Sequence, residues 1–206
     1  MQTAAARHTQ RATREAGQKT RSRLLDAAAE LFRRRGFADA SLTELAAAAD
    51  AFPSQVTYYF KSKEALFVEA ACRELLHAGK AVEEAASSAD NVGRYMEALV
   101  EAVAPSPALP MMVEAMSLAR RRPDLTALIA ETFERLHAEG ARAYGAHRAR
   151  RGWAEASDPS AESRRFWALA LGVSLRVAAS GGDSTACARE MLQVLRMAPI
   201  AKESGR

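Results

Sequence analysis

Residues 42–63 read LTELAAAADAFPSQVTYYFKSK, which is typical of two short helices joined by a tight turn and followed by the start of a third. Ser41 precedes the first helix and Glu44 stands three residues later, the pattern of two side chains that cap each other at a helix N-terminus. Pro53 suits the first position of the second helix. The predicted contact between the two helices uses small and apolar residues at helical spacing, namely Leu42, Leu45, Ala46, Ala49 and Val56. The stretch therefore predicts a helix-turn-helix.

The turn between these helices carries aspartate where glycine is usual. Glycine is favoured there because the backbone dihedral φ is positive, and this chain has Asp50 instead. Aspartate tolerates the left-handed region better than most residues, so the turn is still predicted. An ordinary helical hairpin within a core has similar spacing, and the residues that follow distinguish the two interpretations.

Polar and aromatic residues cluster on and just after the second helix: Gln55, Thr57, Tyr58, Tyr59 and Lys61. Such side chains contact phosphates and base edges. Lys63 lies in the first turn of the next helix, where the helix dipole disfavours a cation by about 0.3–1 kcal/mol. A bound phosphate would explain this position, because a helix N-terminus is an anion site; the alternative is a solvated lysine. The pattern favours double-stranded DNA as the partner.

The distribution of charge agrees with a DNA partner. Residues 1–65 hold 11 Lys/Arg and 7 Asp/Glu, whereas residues 66–206 hold 18 of each, so the net charge of +4 comes from the first third of the chain. An excess of basic residues beside a helix-turn-helix is the expected electrostatic footprint of DNA binding. For Arg7, Arg11 and Arg14 the alternative is a basic tail without a function.

Composition indicates a globular protein, with 49% apolar and 26% charged residues. No apolar run is long enough to span a membrane, and the polar N-terminus does not resemble a secretory signal; we expect a cytoplasmic protein that does not bind membranes. Cys72 and Cys187 stand far apart, which leaves a redox sensor as a remote alternative. We expect no enzyme activity, no cofactor and no metal site, because phosphate loops, nucleophile motifs and metal-ligand spacings are missing from the sequence.

The helical pattern divides the chain into three predicted parts. A flexible basic arm covers residues 1–19, a three-helix DNA-binding domain covers residues 20–67, and an all-helical domain covers residues 68–206. The first helix is expected at 20–35, with Thr20 as its N-cap and Gly36 at its end. Later helices are expected at 62–86, between the breakers at 87–91 and 105–110, at 122–151, from Ser157-Asp158-Pro159 to about 180, and up to about 197.

The order and spacing of these motifs over residues 20–67 resemble the N-terminal domain of the tetracycline-repressor (TetR) family. The match includes RLLDAA at 23–28, GF at 36–37, SLTELA at 41–46 and VTYYFKSKEALF at 56–67. The resemblance implies a homodimeric repressor that binds a palindromic operator and is released by a small-molecule effector. A DNA-binding regulator without such a ligand, or an activator, is the alternative.

The resemblance also assigns the DNA contacts. The recognition helix corresponds to residues 53–59, the usual phosphate-contacting tyrosine falls on Thr57, and the phosphate-binding lysine falls on Lys63. The implied DNA-binding set is Thr43, Pro53, Ser54, Gln55, Thr57, Tyr58, Tyr59, Lys61 and Lys63. Asp50 and Phe52 depart from the family pattern. Phe52 either contacts a thymine methyl or packs in the core, and packing is the favoured interpretation.

The C-terminal part has no motif that names a ligand. Methionines and aromatic residues on its middle helices suggest an apolar pocket, although each alone is as well explained by core packing. The candidate ligand-binding residues are Met96, Met112, Met116, Phe133, His137, Tyr144, Trp167 and Arg176. Arg176 is predicted to pair either with an acidic ligand or with an acid across the dimer. The resemblance implies that the last two helices form a four-helix bundle with the partner subunit.

Overall fold

The structure, a computed structural model, describes residues 4–153 and 158–197, with side chains over 15–153 and 158–196. Within these ranges every regular element is a helix, so the predicted all-helical fold is confirmed. The chain divides into two compact units, Met1–Ala71 and Cys72–Arg206.

The helices follow the order predicted from the breakers. The first unit contains α1 (Ala4–Asp39), α2 (Leu42–Ala48), α3 (Pro53–Phe60) and the start of α4 (Lys63–Ala85). The second unit contains the rest of α4, then α5 (Val92–Val103), α6 (Ala108–Ala119), α7 (Thr126–Arg151), α8 (Pro159–Ala179) and α9 (Ser184–Met197). Short 3-10 turns lie at Ala86–Ser88 and Pro123–Leu125. Ser157, predicted to open α8, lies outside the described residues, and Asp158 caps the helix.

The first helix begins much earlier than predicted. The sequence suggests a flexible arm up to residue 19, but α1 is helical from Ala4; alanine, arginine and glutamine are good helix formers, and this segment has no proline. Thr20 therefore lies inside the helix, where its Oγ1 donates to the carbonyl oxygen of Ala16 at 3.1 Å. The side chains of Arg7, Arg11 and Arg14 lie outside the described residues. Gly36 interrupts the helix, as predicted, with φ 77°.

The core of the first unit is built by all of its helices. Leu24, Ala28 and Phe32 on α1 are buried, together with Leu45 on α2 and Val56 on α3. The ring of Phe32 meets that of Phe67 on α4 edge-on, with 4.9 Å between the ring centroids. Burial of each large apolar side chain contributes about 1.5–3 kcal/mol. This core holds α2 and α3 in fixed positions and leaves their outer faces to other partners.

The core of the second unit is centred on α8, which packs against α6, α7 and α9. Phe166, Trp167, Val173 and Val177 are its buried side chains on this side. Leu175, on the same helix, is 54% exposed. The helix is thus apolar on two sides, but only one of them is covered within the chain.

Candidate nucleic-acid interface and C-terminal cavity

The start of α2 is held by the predicted capping box. The backbone amide of Glu44 donates to Ser41 Oγ at 3.2 Å, and Glu44 Oε2 accepts from the amide of Ser41 at 3.0 Å. The hydrogen bond from the Ser41 backbone is the main cause that lowers the pKa of Glu44, with help from the Ser41 hydroxyl and Arg35. The α2 N-terminus is therefore fixed by its own side chains, and Thr43 beside it is exposed.

The start of α3 is held by Gln55. Its Oε1 accepts a hydrogen bond from the backbone amide of Phe52, the N-cap residue, at 2.9 Å. The amide nitrogen of the Gln55 side chain keeps two donors for other contacts. The inner face of α3 is anchored by Val56 and Phe60, because both side chains are buried in the core.

Both turns that flank α3 contain a residue in the left-handed region. Asp50, in the turn before it, has φ 49°, so the predicted left-handed aspartate is confirmed. Lys61, which ends α3, has φ 70°, a feature that the sequence gave no reason to expect. The side chain of Lys61 is exposed directly beside the end of α3.

The outer face of α3 carries most of the predicted DNA contacts. The exposed members of the predicted set are Thr43, Pro53, Ser54, Thr57, Tyr58 and Lys61, and the half-buried members are Gln55 and Tyr59. Tyr58 is 74% exposed, and its ring meets that of Tyr59 edge-on at 5.0 Å. The structure therefore brings all of these residues except Thr43 onto one helix and its ends.

Phe52 does not pack in the core, so the favoured interpretation of this residue is wrong. It is 75% exposed. The physical reason is its N-cap position, where the backbone is extended (φ −90°, ψ 147°) while Val56 and Phe60 already fill the space beneath the helix. An exposed aromatic ring thus stands at the N-terminus of α3.

Lys63 has different partners from the ones that the sequence suggested. Its Nζ donates to the carbonyl oxygens of Phe37 at 2.7 Å, Ala38 at 3.3 Å and Ala40 at 2.7 Å, and it lies 4.4 Å from the centroid of the Phe37 ring. An ammonium group has three donors, so in this arrangement none remains for phosphate. The cation lies just after Gly36, where α1 is interrupted, against carbonyl oxygens of the segment that leads into α2.

A second cation links the helices of the first unit and was missed in the sequence. Arg21 on α1 pairs with Glu69 on α4, with 2.6 Å between Nη2 and Oε2. Its guanidinium also lies 4.9 Å from the centroid of the Phe60 ring at the end of α3. Arg21 therefore ties α1 to both α3 and α4.

The second unit contains a cavity of about 30 Å³. Three of the predicted ligand-binding residues, Met96, Tyr144 and Trp167, line it. Sequence reasoning missed Glu83, Tyr95, Ser163 and Phe166, which line it as well. A neighbouring cleft of about 360 Å³ shares Gly79, Glu83, Gly140 and Trp167 with the cavity, so the two adjoin at these residues.

Other predicted ligand-binding residues lie away from this cavity. Met112 is fully buried in the core, and Met116 is half-buried on the same helix. Phe133 and His137 pack on each other with ring centroids 5.8 Å apart, and burial followed by the charge of Arg164 lowers the pKa of His137. None of these four residues lines the cavity or the neighbouring cleft.

Arg176 pairs with a carboxylate of its own chain. Its Nε donates to Glu190 Oε1 on α9 at 2.6 Å. Neither predicted partner, an acidic ligand or an acid across the dimer, is needed to explain it. This pair could not be predicted from the sequence, because it depends on how α8 packs against α9.

Two glycines allow the helices around the cavity to approach closely. A Cβ at Gly79 would lie 2.6 Å from Leu136 Cδ1, and a Cβ at Gly140 would lie 2.6 Å from Ser163 Oγ; real Cβ contacts are longer. Isolated glycines inside predicted helices are the signal that could have located this site. Glycine weakens a helix, so its presence there indicates that another element packs closely against it.

Glu83 is a half-buried carboxylic acid of the cavity with a raised pKa. Burial, reinforced by the nearby charge of Glu139 and opposed by Arg142, raises the pKa of Glu83 to about 7. Burial also raises the pKa of Tyr95, and the charge of Glu83 adds to that effect. Among the described residues, none forms a salt bridge with Glu83.

The described part of the chain contains neither a membrane span nor a cluster of metal ligands. No helix there combines the length and the apolar character that a membrane span requires. Over the same residues, no three His, Cys, Asp or Glu side chains are grouped as metal ligands.

Comparison with known families gives two matches. Residues 24–70 match the bacterial regulatory proteins of the tetR family, and residues 92–196 match a bacterial transcriptional repressor C-terminal family. Curated protein sequences gave no match.

Several solved structures resemble most of this chain. A protein described as a transcriptional regulator from Rhodococcus sp. RHA1 is 36% identical, with a TM-score of 0.75, over 88% of this chain and 97% of that one. A TetR-family regulator from Mesorhizobium loti is 20% identical (TM-score 0.66; 87% and 95% covered). Another from Pectobacterium atrosepticum is 17% identical (TM-score 0.68; 89% and 94% covered). The last two support the fold alone.

Proposed function

This chain belongs to the TetR family of bacterial transcriptional regulators, and on that premise we propose that it is a ligand-responsive repressor. It binds a palindromic DNA operator as a homodimer, acts in the cytoplasm without enzyme activity, and is released when a small molecule enters the second unit. The observation that carries the proposal is the outer face of α3, where large side chains are exposed on a helix that its caps and core hold rigid.

Exposure of Phe52 and Tyr58 supports base and phosphate contacts by α3. Each is about three-quarters exposed, at 75% and 74%, on a helix that is anchored by buried Val56 and Phe60. In a helix-turn-helix the N-terminal residues of the recognition helix contact base edges in the major groove. Phe52 stands at that end, with Pro53, Ser54 and Gln55 directly after it.

Phosphate contacts are proposed for the residues around the recognition helix. Lys61 is exposed at the end of α3, and Tyr58 and Thr57 are exposed beside it. The N-terminus of α4 offers backbone amides of the kind that bind phosphate. Lys63, whose ammonium is bound to carbonyls of the segment between Gly36 and α2, is proposed to support DNA binding by fixing that segment against α4.

Apolar surface on the last two helices supports the homodimer. Leu175 on α8 is 54% exposed and Val194 on α9 is 44% exposed. We propose that these two residues belong to one apolar patch, and such patches mark interaction sites. A two-fold pairing of α8 and α9 with the same helices of a second copy covers both residues and brings two copies of α3 into one molecule.

Operator selection tests the proposed function. The full chain is incubated with random double-stranded DNA, and bound sequences are amplified and sequenced. We expect a palindrome whose half-site centres are about 10–10.5 base pairs apart, roughly 34–36 Å, or a multiple of that distance. Enrichment of a single unpaired half-site, or of no sequence, would contradict the proposal.

Phe52 is predicted to read a thymine methyl group within each half-site. Replacing that thymine by deoxyuridine removes only the methyl, and we expect the affinity of the natural chain to fall about fivefold, since such base contacts contribute on the order of 1 kcal/mol. Phe52→Ala should bind both operators equally. Binding is measured by fluorescence anisotropy at one fixed salt concentration. An unchanged thymine-to-uridine ratio in Phe52→Ala would refute the contact.

A further inference from the structure

We propose that the effector is a primary amine, whose protonated head binds between Glu83 and Ser163 while an apolar or aromatic body occupies the adjoining cleft. The inference rests on the proposed function for the premise that the cavity receives an effector. It adds the chemical class, which follows from four properties of the cavity.

The first property is the sign of the charge. The ionisable lining residues with a carboxylate are Glu83 and Glu162, and none of the lining residues that the structure describes is a lysine or arginine. Glu162 is paired with Arg165, with 2.7 Å between Oε2 and Nη2. Glu83 has no such pair among the described residues, so its carboxylate is the group with which a cationic ligand would form an ion pair.

Charges at the mouth of the cleft do not alter this assignment. Arg135 pairs with Glu139 at 2.8 Å and Lys80 with Glu84 at 3.7 Å. Arg142 attracts Glu83 electrostatically but less strongly than burial and Glu139 oppose its ionisation. Two cations of the cleft, Arg135 and Lys80, are thus matched by other acids, and Arg142 is the cation that acts on Glu83.

The second property is a pair of converging oxygen atoms. Ser163 is only 8% exposed, and its Oγ has no hydrogen-bond partner. Glu83 Oε1 and Ser163 Oγ lie 3.5 Å and 2.6 Å from the same point above Gly140, where a Cβ would stand. A buried polar atom without a partner costs about 1–3 kcal/mol, and an ammonium that donates to both oxygens removes that cost.

The third property is the aromatic lining. Tyr95, Tyr144, Phe166 and Trp167 all line the cavity, and the rings of Tyr95 and Tyr144 lie 5.6 Å apart. The face of an aromatic ring attracts a cation by about 0.5–2 kcal/mol. The apolar part of the lining thus favours a cationic head as well as an apolar body.

The fourth property is size. A water needs about 10–15 Å³ of such a cavity, so about 30 Å³ holds a head no larger than about two or three waters. A primary ammonium fits, whereas a trimethylammonium group does not. The shared cleft of about 360 Å³ has room for the rest of the molecule.

Four benzyl compounds that differ only in the head group test the inference. Benzylamine, benzyltrimethylammonium, benzyl alcohol and benzoate are titrated into the full chain at pH 7, and binding is followed by calorimetry and by tryptophan fluorescence. We expect benzylamine to bind at least about tenfold more tightly than the other three. Equal binding of the alcohol or of benzoate, tighter binding of the trimethylammonium compound, or no binding of benzylamine would overturn the inference.

Variants locate the binding site. Glu83→Gln keeps the size of the side chain and should weaken benzylamine binding at least about tenfold, and Ser163→Ala about three- to tenfold. Glu101→Gln, an exposed acid on α5 that lines neither the cavity nor the cleft, is the control and should change it less than about twofold. Thermal unfolding of each variant verifies that it folds. If Glu83→Gln folds and binds benzylamine like the natural chain, the inference is wrong.

A separate measurement distinguishes failure of this inference from failure of the proposed function. Each benzyl compound is added to the chain bound to its selected operator. Release by benzyl alcohol or benzoate but not by benzylamine leaves the repressor function standing and refutes the amine. Tight binding of benzylamine that requires Glu83 but leaves the operator bound supports the amine site and refutes release by that ligand.

Discussion

Leu175→Glu is expected to convert the proposed dimer into a monomer and to reduce operator affinity at least about 100-fold, on the order of 3 kcal/mol. Leu175 is 54% exposed on α8, and the proposed interface covers it. The substitution removes an apolar contact and places a carboxylate in an apolar interface. Two-fold symmetry repeats the change in both subunits. Sedimentation velocity at micromolar concentration measures the first effect, and anisotropy with the selected operator measures the second.

The matched control is Val92→Glu. Val92 is also an exposed apolar residue of the second unit, 36% exposed, but it lies at the start of α5. We expect this variant to remain dimeric with unchanged operator affinity. A dimer that survives Leu175→Glu, or one that is lost in Val92→Glu, would show that α8 and α9 do not form the interface.

Lys63→Ala is expected to destabilise the first unit by about 2 kcal/mol, because it removes charged hydrogen bonds to three carbonyl oxygens. For a unit of this size that corresponds to a fall in melting temperature of about 8–16 °C. Both tryptophans, Trp153 and Trp167, lie in the second unit, so their fluorescence does not report the effect. Far-UV circular dichroism and amide hydrogen exchange at the end of α1 measure it.

Lys61→Ala is the control that separates support from phosphate contact. Lys61 is exposed, so its loss should leave the melting temperature nearly unchanged. It should instead make the negative slope of log affinity against log salt less steep by about one. Lys63→Ala should leave that slope unchanged at temperatures where the unit is folded. The reverse result, a stable Lys63→Ala variant with a reduced slope, would restore phosphate binding as the role of Lys63.

The helix starts and turns of the first unit could be predicted because each is specified by residues that lie close together in the sequence. The Ser41–Glu44 box, the proline at the start of α3 and the left-handed aspartate all act within a few residues, and the structure contains each of them. The start of α1 was misjudged since a basic, polar segment resembles an arm unless its helix propensity is weighed.

The errors at the candidate sites concern contacts between helices. Phe52 is exposed because Val56 and Phe60 fill the core, Lys63 reaches back 26 residues to Phe37, and Arg176 reaches Glu190. The cavity was only partly found, because its acid and its hydroxyl come from α4 and α8, which are far apart in sequence. Periodicity identifies an apolar face but does not say which polar groups two packed helices will bring together.

Lys61 also shows where the demands of folding and of recognition separate. A lysine with φ 70° holds a backbone conformation that costs an L-residue about 1–2 kcal/mol and costs glycine almost nothing. A chain optimised only for heat resistance would therefore exchange this lysine for glycine. The natural lysine makes the turn less stable but supplies a positive charge beside the recognition helix. Selection for thermostability alone is therefore expected to favour glycine at this position and to lower DNA affinity.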